Sequence, residues 1–250
     1  NVRNRCVMET PDSHQFIRGD GGAKWPRIRS AFLATAPHMN NAWAAGPVPS
    51  VRSFSIGSHR RLMRAGSISG GTGVFTDLIV STCSPATVVA IDPSEPQLEI
   101  ARKKAIAQRA DFRVADAQKL PFSDKAFDVV VSALVINFIS DRPHALGEMS
   151  RVCRPHGVIA GYVWDFAAQR EPVSLIRDGL HQVGAKNPPH PGTEHSGLDA
   201  LTSLFARANL TDIGSRTIDV TMSFADFNEF WRLQTPSYTS TGKMIAALSE

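Results

Sequence analysis

The chain has 250 residues, of which 42% are hydrophobic and 20% are charged, so it can form one substantial core within a single α/β domain. Three scattered cysteines, Cys6, Cys83 and Cys153, are too few for a disulfide framework or a zinc site. The longest apolar run is too short to cross a bilayer. These features argue against a disulfide-stapled secreted domain, and they predict a cytoplasmic protein without a metal site or membrane insertion.

The positive charge of the chain is concentrated in its first quarter. The formal net charge is +4, yet residues 1–70 hold ten Lys or Arg against three Asp or Glu, a net +7. Residues 71–250 hold seventeen against twenty, a net −3. A basic segment can bind nucleic acid, but this one lacks a DNA-reading motif and any regular period. We therefore predict a disordered leader and expect no nucleic-acid partner.

From residue 71 onward, patterns typical of helices alternate with short runs typical of strands. Helices are predicted over residues 72–83, from a capping box at Ser94 to about Arg109, and from about Asp141 to a point before Pro155. Strands are predicted over residues 86–91, 111–114, 127–133 and 157–164. This alternation predicts an α/β fold with a doubly wound, mostly parallel, Rossmann-like sheet and helices on both faces.

The sequence after Trp164 is less regular. A helix capped by Ser196 is predicted to end at Asn209, and a sixth strand is predicted over residues 210–224. Four aromatic residues then recur at helical spacing: Phe224, Phe227, Phe230 and Trp231. We predict that they pack in the core or in a lid, with a wall of the substrate site as the alternative.

Glycines and acids recur where the predicted strands end. Gly71 and Gly73 are followed 19 residues later by Asp92, and Asp116 follows the next strand. Glycines let backbone N–H groups approach a ligand, and an acid at the tip of the next strand can accept both ribose hydroxyls. Thr76 stands where a dinucleotide site wants its third glycine, and no P-loop lysine follows the glycines. The spacing therefore favours a positively charged adenosine ligand over one that bears phosphates.

Five segments carry further signals: Gly70-Gly71-Thr72-Gly73, Ala90-Ile91-Asp92-Pro93-Ser94, Ala115-Asp116-Ala117-Gln118-Lys119-Leu120-Pro121-Phe122, Ala126-Phe127-Asp128-Val129-Val130, and Glu148-Met149-Ser150-Arg151-Val152 leading to Arg154-Pro155-His156-Gly157. These segments resemble class I S-adenosylmethionine-dependent methyltransferases, especially the small-molecule branch of ubiquinone and menaquinone biosynthesis. The resemblance covers residues 70–165 closely and continues loosely to about residue 235.

The resemblance implies S-adenosylmethionine as the cofactor. Eight residues are implied as cofactor-binding by their places in the matched motifs: Gly71, Gly73, Asp92, Pro93, Asp116, Ala117, Ser132 and Ala133. The glycines would face the methionyl and ribose part, the first acid the ribose hydroxyls, the second acid and the amide after it the adenine, and the last two residues the methyl end. The structural alternatives are a helix cap for Asp92 and a turn former for Asp116.

Two departures from the family pattern precede the glycines. Ser67 stands at the position of the family's acid, and Ser69 at that of its first glycine. Residues 60–66, where the first strand is expected, include three arginines, which do not suit a buried central strand. We hypothesise that the sequence before residue 70 is out of frame or divergent. With its first and last strands poorly represented, the chain is expected to be truncated at both ends.

Residues 1–69 are therefore predicted to be an atypical basic leader, and residues 70–250 a methyltransferase domain. Within that domain, residues 70–165 are predicted to bind the cofactor and residues 166–250 to determine substrate specificity. The acceptor is predicted to be a small hydrophobic molecule that contacts Trp164 and the segment after it.

No catalytic residue is assigned, because methyl transfer from a sulfonium needs little acid–base chemistry when the acceptor is already nucleophilic. His181, His190 and His195 lie in a Pro/Gly-rich connection without metal-ligand spacing. The alternatives to an enzyme are a non-catalytic S-adenosylmethionine-binding protein and an inactive remnant of the fold. A nicotinamide oxidoreductase shares the fold but is less favoured. The sequence identifies neither the methylated atom nor the oligomeric state.

Overall fold

A computed structural model describes residues 29–33, 64–68, 70–217, 224–237 and 239–248. Their six strands are β1 (Arg29–Leu33), β2 (Arg64–Ile68), β3 (Thr87–Asp92), β4 (Asp111–Val114), β5 (Phe127–Ala133) and β6 (Cys153–Tyr162). The seven α-helices of these residues are α1 (Val74–Cys83), α2 (Glu95–Arg102), α3 (Arg142–Val152), α4 (Ser174–Gln182), α5 (Leu198–Arg207), α6 (Phe227–Gln234) and α7 (Ser240–Ala246).

The six strands form one sheet in the order β1-β6-β5-β2-β3-β4, and all neighbouring pairs are parallel. The helices α1, α2 and α3 connect β2 to β3, β3 to β4 and β5 to β6, as crossovers between parallel strands require. The predicted doubly wound α/β fold is therefore confirmed. The predicted boundary at residue 70 stays a prediction, although β1 and β2 before it are part of this sheet.

The expectation that the arginines would spoil the first core strand was wrong. The strand β2 occupies the centre of the sheet between β3 and β5, and only Arg64 at its start is exposed. Arg64 remains at the rim, where its side chain lies 3.6 Å from Asp128. Small residues follow it: a Cβ on Gly66 would lie 3.2 Å from the ring of Phe127. After its exposed first residue, Arg64, the strand β2 therefore consists of small and apolar buried residues. The side chain of Arg64 does not enter the core.

Apolar side chains cover both faces of the sheet. All seven residues of β5 are buried, and its valines alternate between the two layers, with Val130 in one and Val129 and Val131 in the other. A strand buried on both faces reads as a continuous apolar run. The layer around Val130 contains α3 and α5 residues such as Leu146. The other layer contains residues of α1 and α2, including Phe75, Ile79, Leu98 and Ala101.

Helix boundaries differ from the prediction where the backbone changes conformation. The helix α2 ends at Arg102, and after an extended Lys104 a separate 3₁₀ turn covers Ala105–Gln108. The Ser94 hydroxyl makes no capping bond; instead the Ser94 carbonyl accepts the first helical N–H bonds. By contrast, Asp141 caps α3 as an acceptor from the His144 N–H at 3.0 Å.

The strand β6 begins at Cys153, directly after α3, and ends at Tyr162, so it starts earlier than predicted. The predicted cap at Ser196 is also wrong, because Gly197 takes the N-cap position of α5. Asn209 ends that helix region with a φ of 57°, as predicted. Residues 210–217 contain no continuous strand, and residues 218–223 lie outside the described part, so the predicted sixth strand is not tested there.

The helix α6 carries three of the four predicted aromatic residues and Phe224 lies just before it, but none of the four enters the core. Phe227 is 66% exposed and Trp231 is 39% exposed, and their rings stack on each other with centroids 5.7 Å apart. The core role was wrong because the buried position of this short helix is Gln234 instead. Within the described ranges, no helix has the length and apolar character needed to cross a membrane.

Candidate functional site

The order of the strands creates a crevice beyond the carboxyl ends of β2 and β5. The chain winds from β2 to β3 and β4 on one side and returns to β5 and β6 on the other, so β2 and β5 flank the switch point where ligands bind in open α/β sheets. Ile68, the last residue of β2, aligns with Ile91 and with Ser132. Asp92 aligns with Val114 at the end of β4. The predicted site residues therefore share one edge of the sheet.

Asp92 is bound directly to the glycine loop. Its Oδ2 accepts the Gly71 N–H at 3.0 Å, and its Oδ1 accepts the Ser94 N–H at 2.9 Å. The residue is only 7% exposed. The N-cap of α2 is Ser94, so Asp92 is not the helix cap of the alternative interpretation; its two bonds hold the turn between β3 and α2. They do not exhaust the carboxylate, because its two oxygens offer about four acceptor positions.

The two glycines of the loop have different structural causes. Gly71 has a φ of +46°, and a Cβ there would lie 3.2 Å from Oε1 of Gln97. Gly73 has a φ of +83°, and its Cβ would lie 3.0 Å from the Cβ of Ala101. Gly73 is therefore required for the close approach of α1 to α2, whereas Gly71 faces the acid. Sequence reasoning did not single out Gln97 as a neighbour of the loop.

Asp116 lies two residues beyond the end of β4, on the same edge. Its carboxylate is exposed, and Oδ1 accepts the Gln118 backbone N–H at 2.8 Å. Its carbonyl accepts the N–H of Lys119 at 3.0 Å, so the turn-former role is realised. Ala117 next to it is 8% exposed, whereas Pro93 beside Asp92 is exposed.

An ion-pair network fixes the segment that follows Asp116. Arg151 of α3 donates to the carbonyls of Phe122 at 2.7 Å and Leu120 at 3.0 Å, and Glu148 accepts the Leu120 N–H at 2.8 Å. The hydrogen bond from Arg151 is the main cause that lowers the pKa of Glu148, with the Leu120 N–H adding to it against the opposing effect of burial. We call this network the Glu148–Arg151 clamp. It explains why an acid and an arginine on α3 accompany the Asp116 motif in the sequence.

Buried hydroxyls without hydrogen-bond partners lie around the switch point. Ser132 and Thr76 are 0% exposed and Ser67 is 1% exposed, and none of their hydroxyl oxygens has a partner within the described part of the chain. Ala133, after Ser132, is 1% exposed. Ser67 places a neutral hydroxyl where the family pattern has an acid. A buried hydroxyl without a hydrogen-bond partner destabilises the fold by about 1–3 kcal/mol. These hydroxyls can therefore still donate to or accept from a polar group of a ligand in the crevice.

A second polar cluster was missed by sequence reasoning. Glu171 is 5% exposed, and its Oε1 lies 3.6 Å from Nε of Arg177 and 3.7 Å from Nε2 of His190. The His190 ring lies against Phe166, with centroids 4.4 Å apart. No local signal joins an acid before α4 to a histidine in a Pro/Gly-rich loop 19 residues later. Their proximity depends on how that loop folds back.

A family model described as a methyltransferase domain matches residues 67–161. These residues are a methyltransferase domain of the class I S-adenosylmethionine-dependent family. The match begins within β2 and ends within β6, so it contains the glycine loop, both acids and the end of β5. The resemblance predicted from the sequence is confirmed.

Three curated relatives of this methyltransferase domain are named as methyltransferases. Demethylmenaquinone methyltransferase of Thermus thermophilus is 36% identical over 42% of this chain and 49% of its own length. A ubiquinone/menaquinone biosynthesis C-methyltransferase of Ectopseudomonas mendocina is 38% identical over 36% of this chain and 37% of its own. Malonyl-[acyl-carrier protein] O-methyltransferase of Serratia marcescens is 33% identical over 53% and 50%. The chain thus spans half or less of each of these relatives.

Proposed function

We propose that this chain binds S-adenosylmethionine beyond the carboxyl ends of the strands and transfers its methyl group to a small hydrophobic acceptor. The observation that carries the proposal is the pair of bonds that hold Asp92 between the N–H groups of Gly71 and Ser94 at the switch point. About two acceptor positions of this carboxylate stay open, which is what two ribose hydroxyls require.

The remaining cofactor contacts follow from the family motif. Asp116 would accept the adenine amino group, with the Ala117 N–H beside it. Ser132 and Ala133 would line the methionyl end, where the buried Ser132 hydroxyl lacks a partner within the described residues. Gly73 would support the loop through its contact with α2. Since Ser67 replaces the family's acid, we expect weaker attraction for the positively charged end of the cofactor.

The bound cofactor supplies an electrophilic methyl group on a sulfonium, and its thioether leaves as a neutral group. The residues of the chain contribute position: the loop and Asp92 fix the ribose, and the end of β5 borders the path of the acceptor. Alignment of two reactants in a crevice that excludes water can supply several kcal/mol of the barrier reduction. Positioning is therefore the main contribution expected of this site.

A hydroquinone-type acceptor fits the surroundings of the crevice. The 3₁₀ turn after β5 presents Phe138, which is 47% exposed and lies 5.9 Å from the ring of Phe166. Aromatic walls suit a flat apolar ring. The relatives from Thermus thermophilus and Oryza sativa are named as demethylmenaquinone and phytyl-hydroquinone methyltransferases.

Calorimetric titration with S-adenosylhomocysteine tests the cofactor half of the proposal, with NADH as the comparison ligand. We expect saturable binding of S-adenosylhomocysteine and no binding of NADH. Transfer of a labelled methyl group to reduced naphthohydroquinone then tests catalysis. Binding without transfer to any small acceptor would favour the non-catalytic alternative, which Ser67 in place of the acid supports. Binding of NADH alone would favour the oxidoreductase.

A further inference from the structure

The segment predicted to face the acceptor contains a buried acid beside a histidine. Glu171 lies just before α4, where its carbonyl accepts the Ser174 N–H at 3.1 Å. Its carboxylate lies between Arg177 and His190, at 3.6 Å and 3.7 Å. Arg177 and His190 are both basic side chains within ion-pair distance of Glu171. The histidine side chain is 18% exposed, so one part of the ring is buried and another is accessible.

The loop that carries His190 is held in place by several contacts. Arg177 donates to the Pro188 carbonyl at 2.5 Å, and the Asn187 side-chain amide donates to the Arg177 carbonyl at 2.9 Å. The His190 carbonyl accepts both the N–H and the hydroxyl of Thr193, at 3.1 Å and 2.6 Å. The position of the histidine is therefore determined by backbone contacts on both sides, independently of its ring.

This loop packs on the segment that follows the methyl end of the site. The ring of His190 contacts Phe166, which in turn contacts Phe138 of the turn after β5. Gly192 lies so close to the Asn137 carbonyl that a Cβ there would collide with it. The turn that carries Asn137 and Phe138 follows the end of β5, so a chain of ring contacts through Phe166 and Phe138 joins His190 to the segment after Ser132.

Polar groups of this region lack partners. Both polar side-chain atoms of Asn137 and Oε2 of Glu171 are buried and have no hydrogen-bond partner within the described residues, whereas Nε2 of His190 is buried at ion-pair distance, 3.7 Å, from Oε1 of Glu171. Asn137 itself is 1% exposed. Because a buried polar group without a hydrogen-bond partner destabilises the fold, several of them in one place indicate a site for a polar ligand group.

From this arrangement, and resting on the proposed function, we infer that His190 is the general base that deprotonates a protic acceptor, with Glu171 as its positioning residue. The carboxylate favours the tautomer with the proton on Nε2, the nitrogen that faces it. The lone pair then resides on Nδ1, on the other side of the ring. The inferred acceptor class is a phenol or hydroquinol, since these are poor nucleophiles until they lose a proton.

The inferred step balances in atoms and charge. Nδ1 of His190 takes the acidic proton of the acceptor, and the electron pair left on the acceptor forms a bond to the methyl carbon. The carbon–sulfur bond breaks at the same time, and its electrons neutralise the sulfonium. The imidazolium formed is stabilised by the Glu171 carboxylate and returns its proton to water after the product leaves.

The test compares H190Q, E171Q and H181Q, the last being an exposed control on α4. Methyl transfer to reduced naphthohydroquinone should fall about 100- to 10,000-fold in H190Q and about tenfold or more in E171Q, with little change in H181Q. S-adenosylhomocysteine binding should stay unchanged in all three. Added imidazole should partly restore H190A, which a purely structural histidine would not allow.

A second measurement does not depend on the acceptor. The ¹⁵N chemical shifts of His190 should show the proton on Nε2 in the wild type and a mixture of tautomers in E171Q. Equal transfer rates in H190Q and wild type, or wild-type transfer only to acceptors that have no acidic proton, would overturn the inference. A wild type that fails to bind S-adenosylhomocysteine, or that binds it and methylates no small acceptor, would instead overturn the proposed function.

Discussion

The two parts of the site are built in different ways. Around the proposed cofactor site, residues that meet are close in sequence or are aligned by strand register, as in the Asp92–Ser94 bond and the Ile68–Ser132 pairing. Around the proposed acceptor side, contacts join distant loop residues, as in the Glu171–His190 pair and the bond from the Ala167 N–H to the Ser196 hydroxyl. The first part follows from local pattern, whereas the second depends on how irregular segments fold back.

The largest change in the free energy of unfolding is expected from loss of the core packing between α5 and β6, which joins the two parts of the site. Phe205 of α5 is 2% exposed, and its ring would lie 3.1 Å from a Cβ on Gly161 of β6. F205A should therefore lower the free energy of unfolding by about 3–5 kcal/mol, measured by urea denaturation. A loss below about 1 kcal/mol would mean that α5 is not part of the core, and the acceptor side would then be only loosely attached.

A smaller loss of stability is expected when the Glu148–Arg151 clamp, beside the proposed cofactor site, is broken. E148Q removes a carboxylate bonded to Arg151 and to the Leu120 N–H, which should destabilise the fold by about 1.5–3 kcal/mol at neutral pH. Since the pKa of Glu148 is lowered from 4.5 on folding, its charge contributes stability above that value. The contribution is lost as pH falls through the lowered folded-state pKa.

Urea denaturation of wild type and E148Q at several pH values checks this sign. The difference between them should be largest at neutral pH and should shrink on acidification below about pH 4.5, the unfolded-state value. E99Q, at an exposed position of α2, is the matched control and should follow the wild type. A difference that grows on acidification would contradict the assignment.

The affinity of the cofactor product provides the next comparison. D92A should weaken S-adenosylhomocysteine binding by about 1–3 kcal/mol, or roughly 5- to 150-fold, because two ribose hydroxyls lose their acceptor. Calorimetry measures this directly, and D178A on the exposed side of α4 serves as the control. Unchanged affinity would remove Asp92 from the site and leave it as a residue that holds the turn after β3.

Sequence reasoning succeeded where a residue's neighbours are determined by its own strand. The span of β5, the acids at the ends of β3 and β4, and the start of α3 near Asp141 were predictable because apolar runs and acids mark strand and helix ends directly. It failed at β2, since a count of arginines over residues 60–66 does not show that the strand starts only at Arg64.

The acceptor side was not predictable for a different physical reason. His190 contacts Glu171 only because hydrogen bonds of Arg177 and Asn187 hold the loop that carries it against α4. Ser196 has the composition of a helix cap, yet its hydroxyl donates to the Thr193 carbonyl and accepts the Ala167 N–H. Polar side chains in irregular segments have several partners of similar energy, and tertiary structure selects among them.

The smallest effect is expected at the exposed aromatic residues of α6. F227A removes a ring that is 66% exposed and stacks mainly on Trp231 and Phe230, so the free energy of unfolding should change by no more than about 0.5 kcal/mol. Urea denaturation checks this value, with F205A as the buried counterpart. If stability is unchanged while the KM for the acceptor rises, Phe227 forms a wall of the substrate site. If both stay unchanged, the acceptor side ends before α6, and specificity depends on the loops that carry Phe166 and His190.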